Sequence, residues 1–381
     1  MKERCVMLKK TFIKAQIAFK QNRHMIVLIL LWFLLNYWVL LATCGDAVLA
    51  VKYLFYLEDL ETDYGHFYSK YSEFVVFGLL IGLVTVDAFR NYDPSKTCEI
   101  LASKLKNHAV IVGYDHLGIR LHEYLESRGI PNVVVSKHKA DLSELYEDEN
   151  PAVYYDDLDD DFPKKIELKK ARYLFLLEDE IVFNLRMVLL ARRIGSKARI
   201  AVRCFQDNFA PVFERYGATI LSASSATVKS VFSEHLSDPR IKEIIIIGYS
   251  HFAERISAHA TRRGIHNSII AECDDLVKYH NKLETTERQL VKIFRGNPMD
   301  YKVLQEAGVF DGEEKAIIIA IESDDVILLA RALKERNPKA LVIARTFSDE
   351  IEVVLEEMGV VPISTSKHAL KSQILPMLDE H

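Results

Sequence analysis

The sequence predicts a membrane α-helical module of two spans followed by two tandem copies of a parallel α/β domain. Three observations carry that prediction. The run Met25 to Thr43 is apolar and free of charge, and at about 1.5 Å per helical residue it is long enough to cross a hydrocarbon core of about 30 Å. From His108 onward, short runs of β-branched and aromatic residues alternate with charged, amphipathic stretches, the pattern of βαβ units around a parallel sheet. The stretch Ala109-Val110-Ile111-Val112-Gly113-Tyr114-Asp115-His116-Leu117-Gly118 then returns about 135 residues later as Ile244-Ile245-Ile246-Ile247-Gly248-Tyr249-Ser250-His251-Phe252-Ala253, so the second region is duplicated. Each copy reads as a buried strand, a tight glycine turn and a helix.

Composition narrows the function. A chain of 381 residues holds two or three domains. Its net charge of -5 leaves no nucleic-acid footprint, and no nucleic-acid partner is expected. Cys5, Cys44, Cys98, Cys204 and Cys273 are far apart and form no Cys-x-x-Cys pair, as expected of free thiols in a reducing compartment.

Taken in order, residues 1–24 interleave Lys and Arg with Leu8, Phe12, Ile13, Ile17 and Phe19. They are expected to form a basic amphipathic helix against membrane lipid. Residues 25–90 are expected to hold two transmembrane helices. Asn36 is the polar residue inside the first span, suited to an interhelical contact. The second, Glu73 to Phe89, carries Gly78 and Gly82 at helical spacing, a place for close packing or a hinge. Lys and Arg lie before the first span and after the second, which places both termini in the cytoplasm of a multi-pass cell-membrane protein.

Between the spans, Asp46 to Leu60 has apolar residues at helical spacing and leads into Glu61-Thr62-Asp63-Tyr64-Gly65. A span, an amphipathic helix, a Tyr-Gly turn and a second span resemble the two-helix pore module of potassium channels, whose filter carbonyls replace an ion's hydration shell. The resemblance implies a filter at Thr62, Asp63, Tyr64 and Gly65, with gating by a tilt at Gly78 or Gly82. The filter lacks its first glycine, and Asp63 stands in its place. Glu58, Asp59 and Glu61 add acids at the pore mouth. Such rings favour cations generally over potassium specifically.

Residues 91–107 form a linker. Two halves follow, 108–238 and 239–381, divided at Ser237-Asp238-Pro239-Arg240. Arg128-Gly129-Ile130 matches Arg263-Gly264-Ile265, Arg203-Cys204-Phe205 matches Arg345-Thr346-Phe347, and Gly217 matches Gly359. This pattern resembles the regulator-of-conductance (RCK) domain, a Rossmann-like module attached to prokaryotic potassium channels and transporters. The resemblance spans residues 107–370. It implies two Rossmann-like lobes per chain, each without a smaller C-terminal lobe, in a homotetramer that conducts monovalent cations, potassium first among them.

A dinucleotide fingerprint, G-x-G-x-x-G, needs small residues where pyrophosphate meets the backbone and an acid at the end of the second strand for the ribose. The first copy offers Gly113, Asp115 and Gly118; the Asp115 carboxylate would block and repel phosphate, and Lys137 stands where the ribose acid belongs. Binding is not expected there. The second copy offers Gly248, Ser250 and Ala253 with Glu272 ending the strand, so an NAD-like or adenine nucleotide is the candidate ligand there; the alternative is a Rossmann core kept for packing and assembly. Asp156, Asp157 and Asp159, with Asp160 and Asp161, form an acidic loop whose oxygens suit calcium but lack EF-hand spacing. The chain carries no G-x-S-x-G, Walker lysine or H-E-x-x-H motif, so an enzyme is not expected. The sequence reads as a potassium-channel-like cation channel gated by a ligand on its RCK halves. The alternative is a membrane-anchored RCK sensor subunit without its own pore.

Overall fold

Runs of Val and Ile closed by glycine or charge become strands here, because β-branched side chains suit a pleat buried on both faces. The computed structural model describes residues 23–55, 57–58, 61–73, 93–311, 314–321, 323 and 325–379. The N-terminal amphipathic helix up to residue 22, Asp59, Gly78, Gly82 and the second span beyond Glu73 lie outside the described residues. Among those described, the strands are β1 Ala109–Val112, β2 Asn132–Ser136, β3 Ala152–Tyr154, β4 Tyr173–Leu176, β5 Arg199–Arg203, β6 Ala218–Leu221, β7 Glu243–Ile247, β8 His266–Ala271, β9 Val291–Arg295, β10 Lys315–Ile319, β11 Leu341–Arg345 and β12 Val361–Ile363. The chain divides into two units, residues 1–105 with 138–167, and residues 106–137 with 168–381.

The first unit holds helices α1 Arg23–Cys44, α2 Ala47–Leu54, α3 Asp63–Glu73 and α4 Pro94–Ala102, together with β3. Asp46 starts α2 by accepting from the N–H groups of Val48 (2.7 Å) and Leu49 (3.3 Å), the local reason the helix begins there. Leu40, Ala50, Leu54 and Tyr68 bury a small core among the first three helices. Asn36, 3% exposed, donates to the Trp32 carbonyl (2.8 Å) and accepts from the Tyr64 hydroxyl (2.7 Å). Among the described residues no helix is long and apolar enough to cross a membrane. Four side chains of α1, at positions 24–26 and 29, are themselves outside the description. The two-span pore expected from the sequence is therefore not shown.

The stretch named as a filter begins a helix. Asp63, Tyr64 and Gly65 form the first turn of α3 rather than an extended, carbonyl-lined loop. Thr62 sets this up: its hydroxyl accepts from the Gly65 N–H (3.1 Å) and its carbonyl accepts from the His66 N–H (2.9 Å). The Thr62 carbonyl points along the helix to the His66 N–H rather than into an extended, carbonyl-lined loop. Of the expected mouth acids, Glu58 pairs with Lys52 at 2.7 Å and Glu61 is exposed.

The second unit contains two parallel sheets. In the first, the strands of this unit run in the order β2-β1-β4-β5-β6, with Val110 opposite Val133 on one side and Leu174 on the other. In the second the order is β12-β11-β10-β7-β8-β9, with Ile246 opposite Ile318 and Ile269. The sheets are flanked by α5 His116–Ser127, α6 Ile181–Arg193, α7 Ala223–Glu234, α8 His251–Arg262, α9 Asp274–Lys282, α10 Asp325–Arg336 and α11 Thr365–Ala369. The copies exchange their last helices. Val228, Val231 and Phe232 of α7 are buried in the same cluster as Ile244, Ile246 and Ile256 of the second copy. In return α11 touches α5, and the C-terminal segment reaches the first sheet, where Tyr173 donates to the Leu378 carbonyl (3.4 Å) and Arg199 to that of Met377 (3.2 Å). The exchange sets the two glycine turns facing one cleft.

Candidate functional site

Both turns are built the same way. Gly113 and Gly248 adopt φ of 97° and 100°, the left-handed region that suits glycine. A Cβ on Gly118 would meet the Gly113 carbonyl oxygen at 2.3 Å, so the start of α5 lies tight on its own turn. The equivalent residue of the second copy, Ala253, is fully buried.

The turns differ in what fills them. In the first copy, Asp115 Oδ1 accepts from the N–H groups of Leu117 (3.0 Å) and Gly118 (3.1 Å), and Oδ2 pairs with Arg203 Nη1. The same Arg203 nitrogen lies 3.5 Å from Asp179, and its guanidinium stands 4.7 Å over the Phe205 ring. In the second copy Ser250 supplies a neutral hydroxyl that accepts from the Ala253 N–H at 3.3 Å. Arg345, equivalent to Arg203, stands 4.5 Å over the Phe347 ring.

Between the turns lies a cleft of about 760 Å³ lined by residues of both copies. Its walls repeat around an approximate two-fold. His116 stacks on Phe347 at 4.4 Å, and His251 stacks on Phe205 at 4.9 Å. Arg120 of α5 donates to the Phe347 carbonyl (3.1 Å) and Ser366 Oγ (3.1 Å), and it pairs with Asp349. Arg255 of α8 donates to the Phe205 carbonyl (3.0 Å) and to Ser225 Oγ. Hydrogen bonds from Arg120, then Lys367, hold the Asp349 carboxyl down at about 2. Ser224, 6% exposed, lines the cleft with a hydroxyl that has no hydrogen-bond partner among the described residues.

The second copy adds a polar relay at the start of α8. Tyr249 donates its hydroxyl to Glu254, and His251 Nδ1 lies 3.7 Å from the same carboxylate. The bond to Glu254 raises His251 above its ordinary value, and the bond from His251 lowers Glu254. Burial, then the bond to Glu254, pushes Tyr249 up.

The residues singled out in the sequence separate into three groups. Gly248, Ser250 and Ala253 meet at the second turn. Glu272 is exposed just past β8 and shares a smaller cavity of about 370 Å³ with Gly248, Ala271 and Ala320. The acidic loop belongs to the other unit. There Asp157 accepts from the Leu158 N–H (2.7 Å), Asp159 from the Phe162 N–H (2.6 Å), and Asp161 pairs with Lys164 (2.6 Å). Among the described residues no three His, Cys, Asp or Glu side chains are grouped to hold a metal, and calcium is not shown. His116, His251, Phe205, Phe347, Arg120 and Arg255 had no role in the sequence reading. The signal was present, since the Tyr-x-His and Arg-x-Phe triplets recur in both copies.

The TrkA-N domain model matches residues 109–223 and again 244–365. No curated protein matches the chain. Among solved structures, the fold is similar to the GsuK channel (18% identity, TM-score 0.71, 96% of this chain and 99% of that chain). It is similar also to GsuK bound to ADP (17% identity, TM-score 0.70, 97% and 99%) and to the GsuK channel bound to NAD (15% identity, TM-score 0.67, 97% and 84%). At these identities the likeness is one of fold. The chain belongs to the TrkA-N domain family and carries two copies of the domain in tandem.

Proposed function

We propose that this chain is a channel-like membrane protein in which a nucleotide bound at the second TrkA-N copy gates the passage of cations. The observation that carries the reading is the likeness of fold to the GsuK channel along nearly the whole of both chains, joined to a second turn whose capping residue at the mouth of α8 is the neutral Ser250. Structures of GsuK bound to ADP and to NAD support a nucleotide as the ligand class.

The second copy fits such a group. The N–H groups opening α8, with Ser250, would hold the phosphates at the positive end of the helix, and Glu272 would take the ribose hydroxyls. The nucleotide would bring two or more negative charges beside Arg345. The first copy does not fit, because Asp115 already uses the same donors.

The membrane part of the reading rests on α1, where Leu28, Leu30, Leu34, Leu35 and Trp38 are each more than half exposed. An apolar surface of that size is stable in lipid rather than in water. A homotetramer would close a central path. Its lining would be side chains, since the Thr62 carbonyl is spent within α3, and a side-chain-lined path discriminates weakly between potassium and other cations. Ligand control needs only that the nucleotide prefer one arrangement of the two copies.

Cation flux from liposomes tests this, with potassium, sodium and calcium gradients run in parallel. Flux of potassium and sodium alike is the expected result. No flux under any gradient, with or without ADP, would replace this reading with a sensor subunit that lacks a pore.

A further inference from the structure

The first copy keeps the backbone features of the turn although Asp115 already takes the donors a ligand would need. Gly113 retains its left-handed conformation, and Gly118 retains the close approach that a side chain would forbid. The anion-binding groups are retained as well. Two N–H groups at the mouth of α5 point at one spot, and Arg203 reaches it from the end of β5. An oxygen with negative charge sits on that spot, and it belongs to Asp115.

We infer that Asp115 is a built-in anion: its carboxylate occupies the place of a ligand phosphate in the first copy. It is the specificity-determining residue that makes only one of two like sites available. This deepens the proposed function, since it explains why a duplicated binding scaffold responds through one copy. The physical argument is substitution. A phosphate oxygen at a helix N-terminus is held by backbone N–H groups and by a guanidinium, and Asp115 Oδ1 and Oδ2 take those two kinds of partner at once. A tethered carboxylate also carries no association cost, so a free anion must displace a partner that is never dilute. The second copy differs at this position by having Ser250, which caps the helix without charge. Lys137, not an acid, follows β2, and it lies 3.7 Å from Glu178. The unmasked first site would thus take a phosphate group rather than read a ribose.

The test exchanges the two residues and counts sites with inorganic pyrophosphate by calorimetry on the full chain. Asp115→Ser keeps a capping hydroxyl, so the helix start survives, and a thermal melt checks that each variant folds. The inference predicts one pyrophosphate per chain for the wild type, two for Asp115→Ser, none for Ser250→Asp and one for the double exchange. If Asp115→Ser gains no site, and the double exchange binds nothing while the wild type binds one, the built-in anion is overturned. If the wild type binds none, the reading of the second copy fails on its own. Asp115→Ser then still decides this inference, upholding it by binding one and overturning it by binding none.

Discussion

Asp115 and Ser250 occupy the same place in two copies of one domain, and the surroundings diverge accordingly. Around Asp115 the donors of α5 and the guanidinium of Arg203 are drawn onto a carboxylate. Around Ser250 the helix start is capped by one longer, neutral hydrogen bond, and the charge is moved inward to the Tyr249–Glu254–His251 relay. Much that joins the copies is repeated: the exchanged helices, the His–Phe stacks and the Arg120 and Arg255 bonds to the Phe347 and Phe205 carbonyls. Duplication has conserved the joint within this chain and let the two turns drift apart. A joint that holds both copies in one geometry, with one turn closed and the other open, lets a single ligand bias the pair.

The sharpest way to break the comparison is at the tight glycine. Gly118→Ala would push a Cβ into the Gly113 carbonyl, and overpacking against backbone should cost about 3 kcal/mol in chemical denaturation. Ala253→Gly in the second copy should cost only about 1 kcal/mol, the propensity term of a helix residue. Equal costs would mean that the first turn is no tighter than the second.

Next in size are the two grips. Arg120→Ala and Arg255→Ala each remove charged hydrogen bonds from a partly buried joint, and each should lower stability by about 2 kcal/mol. Arg120→Ala should also raise the Asp349 carboxyl from about 2, where Arg120 and Lys367 hold it. Because that value is depressed in the fold, its stabilisation is present above the ordinary carboxylate value and fades as pH falls toward about 2. Arg120→Ala should flatten that acid limb of the stability curve, whereas Arg255→Ala should leave it unchanged. One silent arginine would show that the joint is one-sided.

The smallest effect belongs to the relay. His251 is raised by Glu254, so its stabilisation is full below the ordinary histidine value and is lost as pH rises through the folded value. Glu254 is lowered by His251, so its share is present above the ordinary glutamate value and is lost as pH falls through the folded one. His251 is well exposed, so screening keeps the pair to about 0.5 kcal/mol. Glu254→Gln should lower the His251 value in an NMR titration, because the bond that raises it is lost. An unmoved His251 would remove the relay from the account.

Much of the α/β fold was legible in the sequence. Val and Ile runs closed by Gly113 and Gly248 fix strand, turn and helix locally, and the repeat forces the same topology twice. The difference at Asp115 was legible too, because a carboxylate is a carboxylate wherever the loop puts it. Its partner was not. Arg203 is about 90 residues away, and only the crossing of β5 beside β4 and β1 brings it to the turn. The exchanged helices were hidden for a similar reason, since the apolar face of α7 does not reveal which copy covers it. The helix start at Asp63 was not legible, because Thr62 and Gly65 fit two local structures and hydrogen bonding by Thr62 selects a helix start. In the acidic loop, counting carboxylates did not reveal the N–H groups and Lys164 that partner Asp157, Asp159 and Asp161.

The most direct test is ADP-dependent cation flux from liposomes carrying wild-type chain or Ser250→Asp, measured side by side at fixed gradients. The account predicts that ADP changes the wild-type flux and leaves that of Ser250→Asp unaltered, because the introduced carboxylate closes the second turn as Asp115 closes the first. An equal response to ADP in both proteins would contradict it, by showing that the ligand acts somewhere other than the open turn.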